Sequence, residues 1–340
     1  MHVIRSVLRQ TVALAVVMGL AGAAVAQTPA ATATATTSSP APAITKPARI
    51  IAWAGPGSAF DTLARMLADG LSERWGVSVT VENKVGAGGI VGTQYAARVP
   101  ADGTTILITT NSAQILNFLL KDNLAFDPKR DFIPVSKLAE GQTTLAVSSK
   151  APYATLAEFL QAGKTGQGLT YSSFANGSAS HLLGEQLQRV SGATLIHVPY
   201  AGGEMAALTD LVGGRLDASF MSEGTALAQS KGGAVRVLAV TGNQRTQMLP
   251  DVPTFAEQGY GGLDLSGWIG MFLPAGSPPE AVAAWSSALQ DLVASPGLNQ
   301  RMVAMGFQPV GNSADAFARE FDQDFQRWTD IVTTTGFKPQ

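Results

Sequence analysis

The chain has 340 residues, which is enough for one large domain or two ordinary ones. Its 23 basic and 25 acidic residues provide no basic field, so nucleic acid is excluded as a partner. The absence of cysteine excludes disulfides and thiolate chemistry, and three histidines are too few for a histidine-rich metal site. No cofactor and no metal are therefore predicted.

The first 26 residues have the three parts of a secretory signal peptide. Arg5 and Arg9 give a positive start, 12–20 is a short apolar run, and Ala-Val-Ala at 24–26 is a small-x-small cleavage site. The apolar run is too short to span a bilayer. We therefore predict cleavage after export and a periplasmic location.

Residues 27–47 consist mostly of Ala, Thr, Pro and Ser and contain almost no bulky apolar side chain. Such a segment cannot bury a core, so we predict a flexible leader.

Strand and helix patterns alternate after this leader. Strands are predicted from β-branched or alternating apolar residues at 49–54, 77–83, 104–110 and 143–149. Between them, one helix carries the stripe Leu63, Leu67, Leu71 and Trp75, and another is predicted at 89–99.

A second alternating set starts at the capping box formed by Thr155 and Glu158, which predicts the start of a helix. Helices and strands then alternate at 169–174, 181–190, 193–200, 204–214, 215–221 and 235–242. Two such sets predict two α/β units with parallel strands.

The C-terminal part begins with an apolar strand at 265–276. Ser277 and Glu280 then fit a capping box around two prolines, which predicts a helix to about 294. A last helix at 314–333 carries aromatic residues at helical spacing, which favours a docking face: Phe317, Phe321, Phe325 and Trp328.

These elements predict an α/β protein with two lobes, each a mostly parallel sheet flanked by helices. Two apolar strands flank the second set and predict a two-strand hinge. Lobe 1 is assigned to 48–146 and 268–340, with the last helix able to cross to lobe 2, and lobe 2 to 147–267. The cleft is expected at the carboxyl ends of the strands, where open parallel sheets bind ligands.

Three glycine- or serine-rich segments follow predicted strands in the first set. In "GPGSAFD" (55–61) an anion site and a plain turn both remain open, and in "TTNSAQILN" (109–117) Asn111 and Ser112 fit both helix capping and ligand contact. The segment "GAGGIVG" (86–92) has Val91 where a dinucleotide site needs glycine and follows the second strand. Close helix–strand packing explains its glycines better.

The segment "YSSFANGSASHL" (171–182) places small polar residues where a strand ends and a helix begins. Ser178 and His181 raise the possibility of a hydrolase, but the chain has no G-x-S-x-G elbow and no acid placed to orient the histidine. A helix N-terminus that accepts a carboxylate fits better. Tyr200 ends the next strand and is expected to face the cleft, whereas His197 is expected to pack.

Seven ordered segments resemble the extracytoplasmic solute receptors of the tripartite tricarboxylate transporter system, the TctC-like or Bug family. They include "GPGSAFDTLAR", "VTVENKVGAGGIVG", "YSSFANGSASHLLGE" and "HVPYAGGEMAALTDLVGGRLD". The resemblance implies a two-lobed periplasmic binding protein, without enzymatic activity, that closes on a carboxylated solute and delivers it to two membrane subunits. It places the ligand between loops that here contain Gly57, Ser58, Asp61, Asn111, Ser112, Ser173, Asn176, Gly177 and Ser178.

Three residues depart from the family pattern. Ser58 replaces a glycine, Phe174 stands beside Ala175 where a small Ser-Gly pair is usual, and Met221 replaces an acid that would suit an amino group. Phe174 and Met221 predict an apolar pocket for an aromatic or aliphatic carboxylate, in preference to an amino acid. The alternative functions are a periplasmic sensor that presents a carboxylate to a membrane signalling kinase, and a Ser/His hydrolase. A monomer is expected.

Overall fold

The computed structural model describes residues 44–200, 204–263 and 265–336. The predicted signal peptide and most of the predicted leader lie outside the described residues. Ile44 is buried in the core beneath the first sheet, so the last residues assigned to the leader belong to the folded chain. Within the described residues, none of the helices has both the length and the apolar character needed to cross a membrane.

Eleven strands are found in the described chain. In chain order they are β1 (Ala48–Ala52), β2 (Val79–Asn83), β3 (Thr105–Thr110), β4 (Phe132–Gly141), β5 (Thr143–Ser148), β6 (Leu169–Ser173), β7 (Leu195–Pro199), β8 (Ala218–Ser222), β9 (Val235–Val240), β10 (Gly267–Pro274) and β11 (Gln308–Pro309).

The helices lie between these strands. They are α1 (Ala59–Trp75), α2 (Ile90–Ala96), α3 (Asn117–Leu120, preceded by a π-helical turn Ser112–Leu116), α4 (Leu156–Thr165), α5 (Ala179–Ser191), α6 (Glu204–Val212), α7 (Glu223–Lys231), α8 (Pro279–Ala294), α9 (Pro296–Ala304) and α10 (Ala314–Thr335).

The strands form two sheets, which confirms the predicted two-lobed α/β fold. The first sheet has the order β11-β4-β10-β3-β1-β2 and the second β7-β6-β8-β5-β9. Three neighbouring strands in each sheet are parallel, β2-β1-β3 and β7-β6-β8. In the first sheet β10 pairs antiparallel with β3 and β4, and in the second sheet β5 pairs antiparallel with β8 and β9. Both sheets are therefore mixed and less parallel than predicted.

The chain crosses between the sheets twice. The first crossing is Gln142, between β4 and β5, and the second is the segment 241–266, between β9 and β10. The amide of Thr143 donates to Oγ1 of Thr241, and the amide of Thr241 donates to the carbonyl of Thr143, both at 2.9 Å. These bonds hold the two crossings together, and β5, which starts at Thr143, belongs to the second sheet.

The C-terminal helix α10 packs with its aromatic stripe inward, as predicted. Phe317, Phe321 and Trp328 are buried in a cluster that also contains Leu182 of α5, in the second lobe. This helix therefore touches both lobes. At the start of α8 the predicted capping box is wrong, because the hydroxyl of Ser277 donates to the carbonyl of Pro274 instead.

Candidate ligand-binding cleft

A cavity of about 1790 Å³ lies between the two sheets and is lined by both lobes. Loops after β1 and β3 form one wall, and the loop after β6 together with α7 forms the other. The cleft therefore lies at the carboxyl ends of the parallel strands, the position where open α/β sheets bind ligands.

The loop after β1 is held by a buried carboxylate. Oδ2 of Asp61 accepts from the amide of Gly57 (2.9 Å) and Nε of Arg65 (2.9 Å), and Oδ1 accepts from Nη2 of Arg65 (3.0 Å) and Nδ2 of Asn83 (2.8 Å). Burial raises the pKa of Asp61, but these hydrogen bonds outweigh it and hold the pKa at about 2. Asp61 is therefore ionised, and both of its oxygens are occupied by donors from its own loop, from α1 and from the end of β2.

Ser58 caps α1 by accepting from the amide of Asp61 at 3.1 Å, and Gly57 takes a positive φ of 81°. The cleft wall at this loop consists of Ala59 and Phe60. The predicted ligand residues Gly57, Ser58 and Asp61 therefore do not line the cavity. They form the turn after β1, and the neighbouring Ala59 and Phe60 line the cavity.

The loop after β3 does reach the cleft. Asn111 and Ser112 line the cavity, Asn111 almost completely buried and Ser112 partly exposed. Nδ2 of Asn117 donates to the carbonyl of Gly88 at 3.0 Å and ties the glycine-rich loop to this segment. A Cβ at Gly89 would lie 2.6 Å from Cβ of Ala113, which supports the packing explanation of these glycines.

In the second lobe, the cavity is lined by Phe174, Asn176, Gly177 and Ser178. The hydroxyl of Ser178 accepts from the amides of His181 and Ala175 (both 3.3 Å) and donates to the carbonyl of Ala175 (2.7 Å). Phe174 is 37% exposed although it is a large apolar residue. The first amides of α5 have no acceptor within the helix and give this end a partial positive charge. Because Ser178 and Ala179 line the cavity, this positive end of α5 faces the cleft.

Behind this loop lies a stacked pair of imidazoles. The rings of His181 and His197 are 3.4 Å apart and inclined by 13°. Burial and the neighbouring His181 lower the pKa of His197 to about 4. Contrary to the expectation, an acid lies near the His181 ring, with Oε1 of Glu185 3.7 Å from Nε2 of His181. Nδ1 of His181 accepts from the amide of Gly177 at 3.2 Å, and the hydroxyl of Ser178 donates to the carbonyl of Ala175 at 2.7 Å. The serine–histidine pair considered for a hydrolase is therefore not assembled.

Three further predicted site residues do not line the cleft. Ser173 is buried, with its hydroxyl 2.6 Å from Nε2 of His197. The hydroxyl of Tyr200 donates to Asp210, and burial together with that carboxylate raises the pKa of Tyr200 to about 12. Met221 lies fully buried in an apolar cluster with side chains of α6. Of the two residues on which the prediction of an apolar pocket rests, Phe174 lines the cleft and Met221 does not.

Sequence reasoning missed two features of the cleft. An aromatic row lines the first lobe: the rings of Trp53 and Phe60 are 5.3 Å apart, and those of Phe60 and Phe307 are 5.9 Å apart. The second feature is Glu223, a buried acid at the start of α7. Its position two residues after the strand predicted at 215–221 was the available signal.

Two lobes joined by two crossings, with Asn111, Ser112 and Asn176 lining the cleft between them, have the architecture of a two-lobed solute-binding protein. Residues 63–337 match the sequence profile described as the tripartite tricarboxylate transporter family receptor. The chain belongs to this family, whose members are binding proteins and not enzymes.

Individual relatives agree with the family assignment. BugT of Bordetella pertussis is 31% identical over 295 residues, which are 86% of this chain and 90% of BugT. Rpa4515 of R. palustris, solved with adipate, is 29% identical with a TM-score of 0.74 over 87% of this chain and 99% of that one. MatC of Rhodopseudomonas palustris, solved with bound malate, is 26% identical with a TM-score of 0.70 over 84% and 99%.

Proposed function

We propose that this protein captures a small carboxylate in the cleft and, from the periplasm, delivers it to the membrane subunits of a tripartite tricarboxylate-type transporter. The observation that carries the proposal is the polar clamp: Asn111 and Ser112 on one wall, and Asn176 with the N-terminal end of α5 on the other. Amide, hydroxyl and helix N-terminal donors suit a carboxylate. Rpa4515 with adipate and MatC with malate are relatives whose ligands carry this group.

The remainder of the solute is proposed to be aliphatic or aromatic. Support comes from Phe174, exposed at the cleft, which faces a cavity whose other wall carries Trp53, Phe60 and Phe307. Such surfaces stabilise a hydrocarbon chain or ring by roughly 25 cal/mol for each Å² removed from water. A cavity of about 1790 Å³ leaves ample room beside a carboxylate.

A thermal-shift screen across carboxylates tests the proposal, since a ligand that binds only the folded state raises the melting temperature by mass action. Aliphatic and aromatic mono- or dicarboxylates should raise the melting temperature in a concentration-dependent manner. The result that contradicts the apolar preference is stabilisation by citrate or aspartate alone. Absence of any carboxylate effect contradicts the binding function itself.

A further inference from the structure

Glu223 stands out among the cleft residues because it is an acid that is 1% exposed. It is the first residue of α7, directly after the N-cap Ser222. Its Oε1 lies 3.5 Å from Nε2 of Gln308, at the limit of a hydrogen bond, and its Oε2 has no hydrogen-bond partner among the described residues. The Gln142 amide lies close enough to lower the pKa of the carboxyl group, but no donor of the described chain meets Oε2 at hydrogen-bond distance and angle. A buried carboxylate oxygen in this state is costly, so a group that donates to it is expected to bind nearby.

Other charges around Glu223 do not satisfy it. Glu140 of β4 also lines the cleft but pairs with Lys137 at 3.0 Å. The carboxylate of Glu204 in α6 accepts hydrogen bonds from Ser222 and Thr225 at the start of α7. This part of the cavity is lined by Glu140, Glu204 and Glu223, while the cation of the same helix, Lys231, lies at the opposite end of α7. Lys137 is already bonded to Glu140 and Glu320.

The electrostatics of Glu223 are consistent with a missing positive partner. Burial raises its pKa to about 7, with Glu140 adding to the rise, although the Gln142 amide and Gln308 lower it. A cation placed beside the carboxylate would lower this pKa and keep the group ionised. The described residues contain no group of acids and histidines suited to a metal ion, so an organic cation is the better match.

The two ends of the cleft thus have opposite chemistry. The clamp near Asn111 and Asn176 offers donors to an anion, and the end near Glu223 offers an acceptor to a cation. Met221, whose presence argued against amino groups, is buried elsewhere and places no restriction on the ligand. Resting on the proposed carboxylate function, we infer that Glu223 forms a second subsite that selects solutes bearing an ammonium group at the end remote from their carboxylate.

Titration calorimetry with three ligands of equal chain length tests the inference. Hexanoate ends in a methyl group, ω-aminohexanoate in an ammonium, and adipate in a second carboxylate. The wild-type protein should bind ω-aminohexanoate at least about tenfold more tightly than adipate, and more tightly than hexanoate. Adipate or hexanoate binding as tightly as ω-aminohexanoate overturns the inference.

Two variants assign the preference to a side chain. Glu223→Gln keeps the size of the side chain and should weaken ω-aminohexanoate about tenfold while leaving hexanoate within about twofold. Glu73→Gln, on the exposed surface of α1, should change none of the three affinities. An equal loss for all three ligands in Glu223→Gln indicates a purely structural role and overturns the inference.

The outcome also separates this inference from the proposed function. If a carboxylate binds but the ammonium brings no advantage, the second subsite is wrong and the carboxylate function stands. If no carboxylate in the screen binds at all, both are wrong.

Discussion

The hydroxyl of Ser178 is occupied by its own loop, so its effect on a ligand is exerted through the position of α5. All its polar contacts lie within 175–181. Ser178→Ala removes the N-cap and should lower the free energy of unfolding by about 1 kcal/mol. Because the clamp depends on this helix end, carboxylate affinity measured by calorimetry should fall several-fold.

Ser313→Ala is the matched control for this prediction. Ser313 caps α10 in the same way, by accepting from the amide of Ala316 at 3.3 Å, and it does not line the cleft. A similar loss of stability with unchanged affinity is expected. If Ser178→Ala also leaves affinity unchanged, the end of α5 does not contribute to binding.

The stacked imidazoles predict a pH dependence of stability. The pKa of His197 is about 4 in the folded protein and near 6.5 when unfolded, so below pH 6.5 the unfolded state binds more protons. Stability should therefore fall as pH drops from 6.5 to 4. His197→Gln should flatten this decline by on the order of 1 kcal/mol in denaturant unfolding series. The pKa of Asp61 is about 2 in the folded protein, so its contribution to stability is lost at lower pH than the contribution of His197.

At the scale of single residues, the sequence predicts which loops border the cleft but not which side chains of those loops point into it. Asn111, Ser112 and Phe174 line the cleft, whereas Ser58 caps α1 and Asp61 accepts from Gly57, Arg65 and Asn83. Capping and ligand contact use the same residue types at the same strand ends. Only the tertiary arrangement, here the Arg65 and Asn83 donors, decides between them.

At the scale of elements, the position of α5 depends on a glycine. A Cβ at Gly184 would lie 2.1 Å from the ring of Tyr171, which belongs to β6 beneath the helix. Gly184→Ala should push α5 away from the sheet and destabilise the protein by about 1–3 kcal/mol, the usual cost of overpacking. Thermal unfolding measures the loss, and carboxylate affinity should fall with it.

Gly297 provides the comparison within another helix. A Cβ there would meet nothing within 4 Å, so Gly297→Ala should leave stability equal or slightly higher. Equal stabilities for Gly184→Ala and Gly297→Ala would contradict the close packing of α5 on β6.

Elements with a regular pattern were predicted, and irregular ones were missed. The strand β4 contains Pro134, Lys137 and Glu140 and pairs with β10 through two register shifts, so it has no clean alternation. The helix α7 has little amphipathic character, with Glu223 and Ala226 as its buried residues. Both depend on neighbours distant in the chain, and both contribute to the cleft.

At the scale of the whole molecule, the two lobes meet at a pair of glycines beside the crossings. A Cβ at Gly224 of α7 would lie 3.4 Å from Cα of Gly306, in the turn after α9. The backbones of the two lobes are therefore in contact without intervening side chains. Such a contact permits the close approach of two lobes around a ligand, the hinge-type closure common to two-lobed binding proteins.

Closure predicts a compaction that a larger side chain at this contact should prevent. Small-angle scattering of the wild-type protein should show a smaller radius of gyration with saturating carboxylate. Gly224→Leu should separate the lobes, abolish the compaction and weaken binding by about tenfold, or 1.4 kcal/mol. Gly261→Ala, where a Cβ would meet nothing within 4 Å, should retain both compaction and affinity. A Gly224→Leu protein that still compacts would show that the lobes close without this contact, and a wild-type protein that does not compact would exclude hinge closure as the mode of capture.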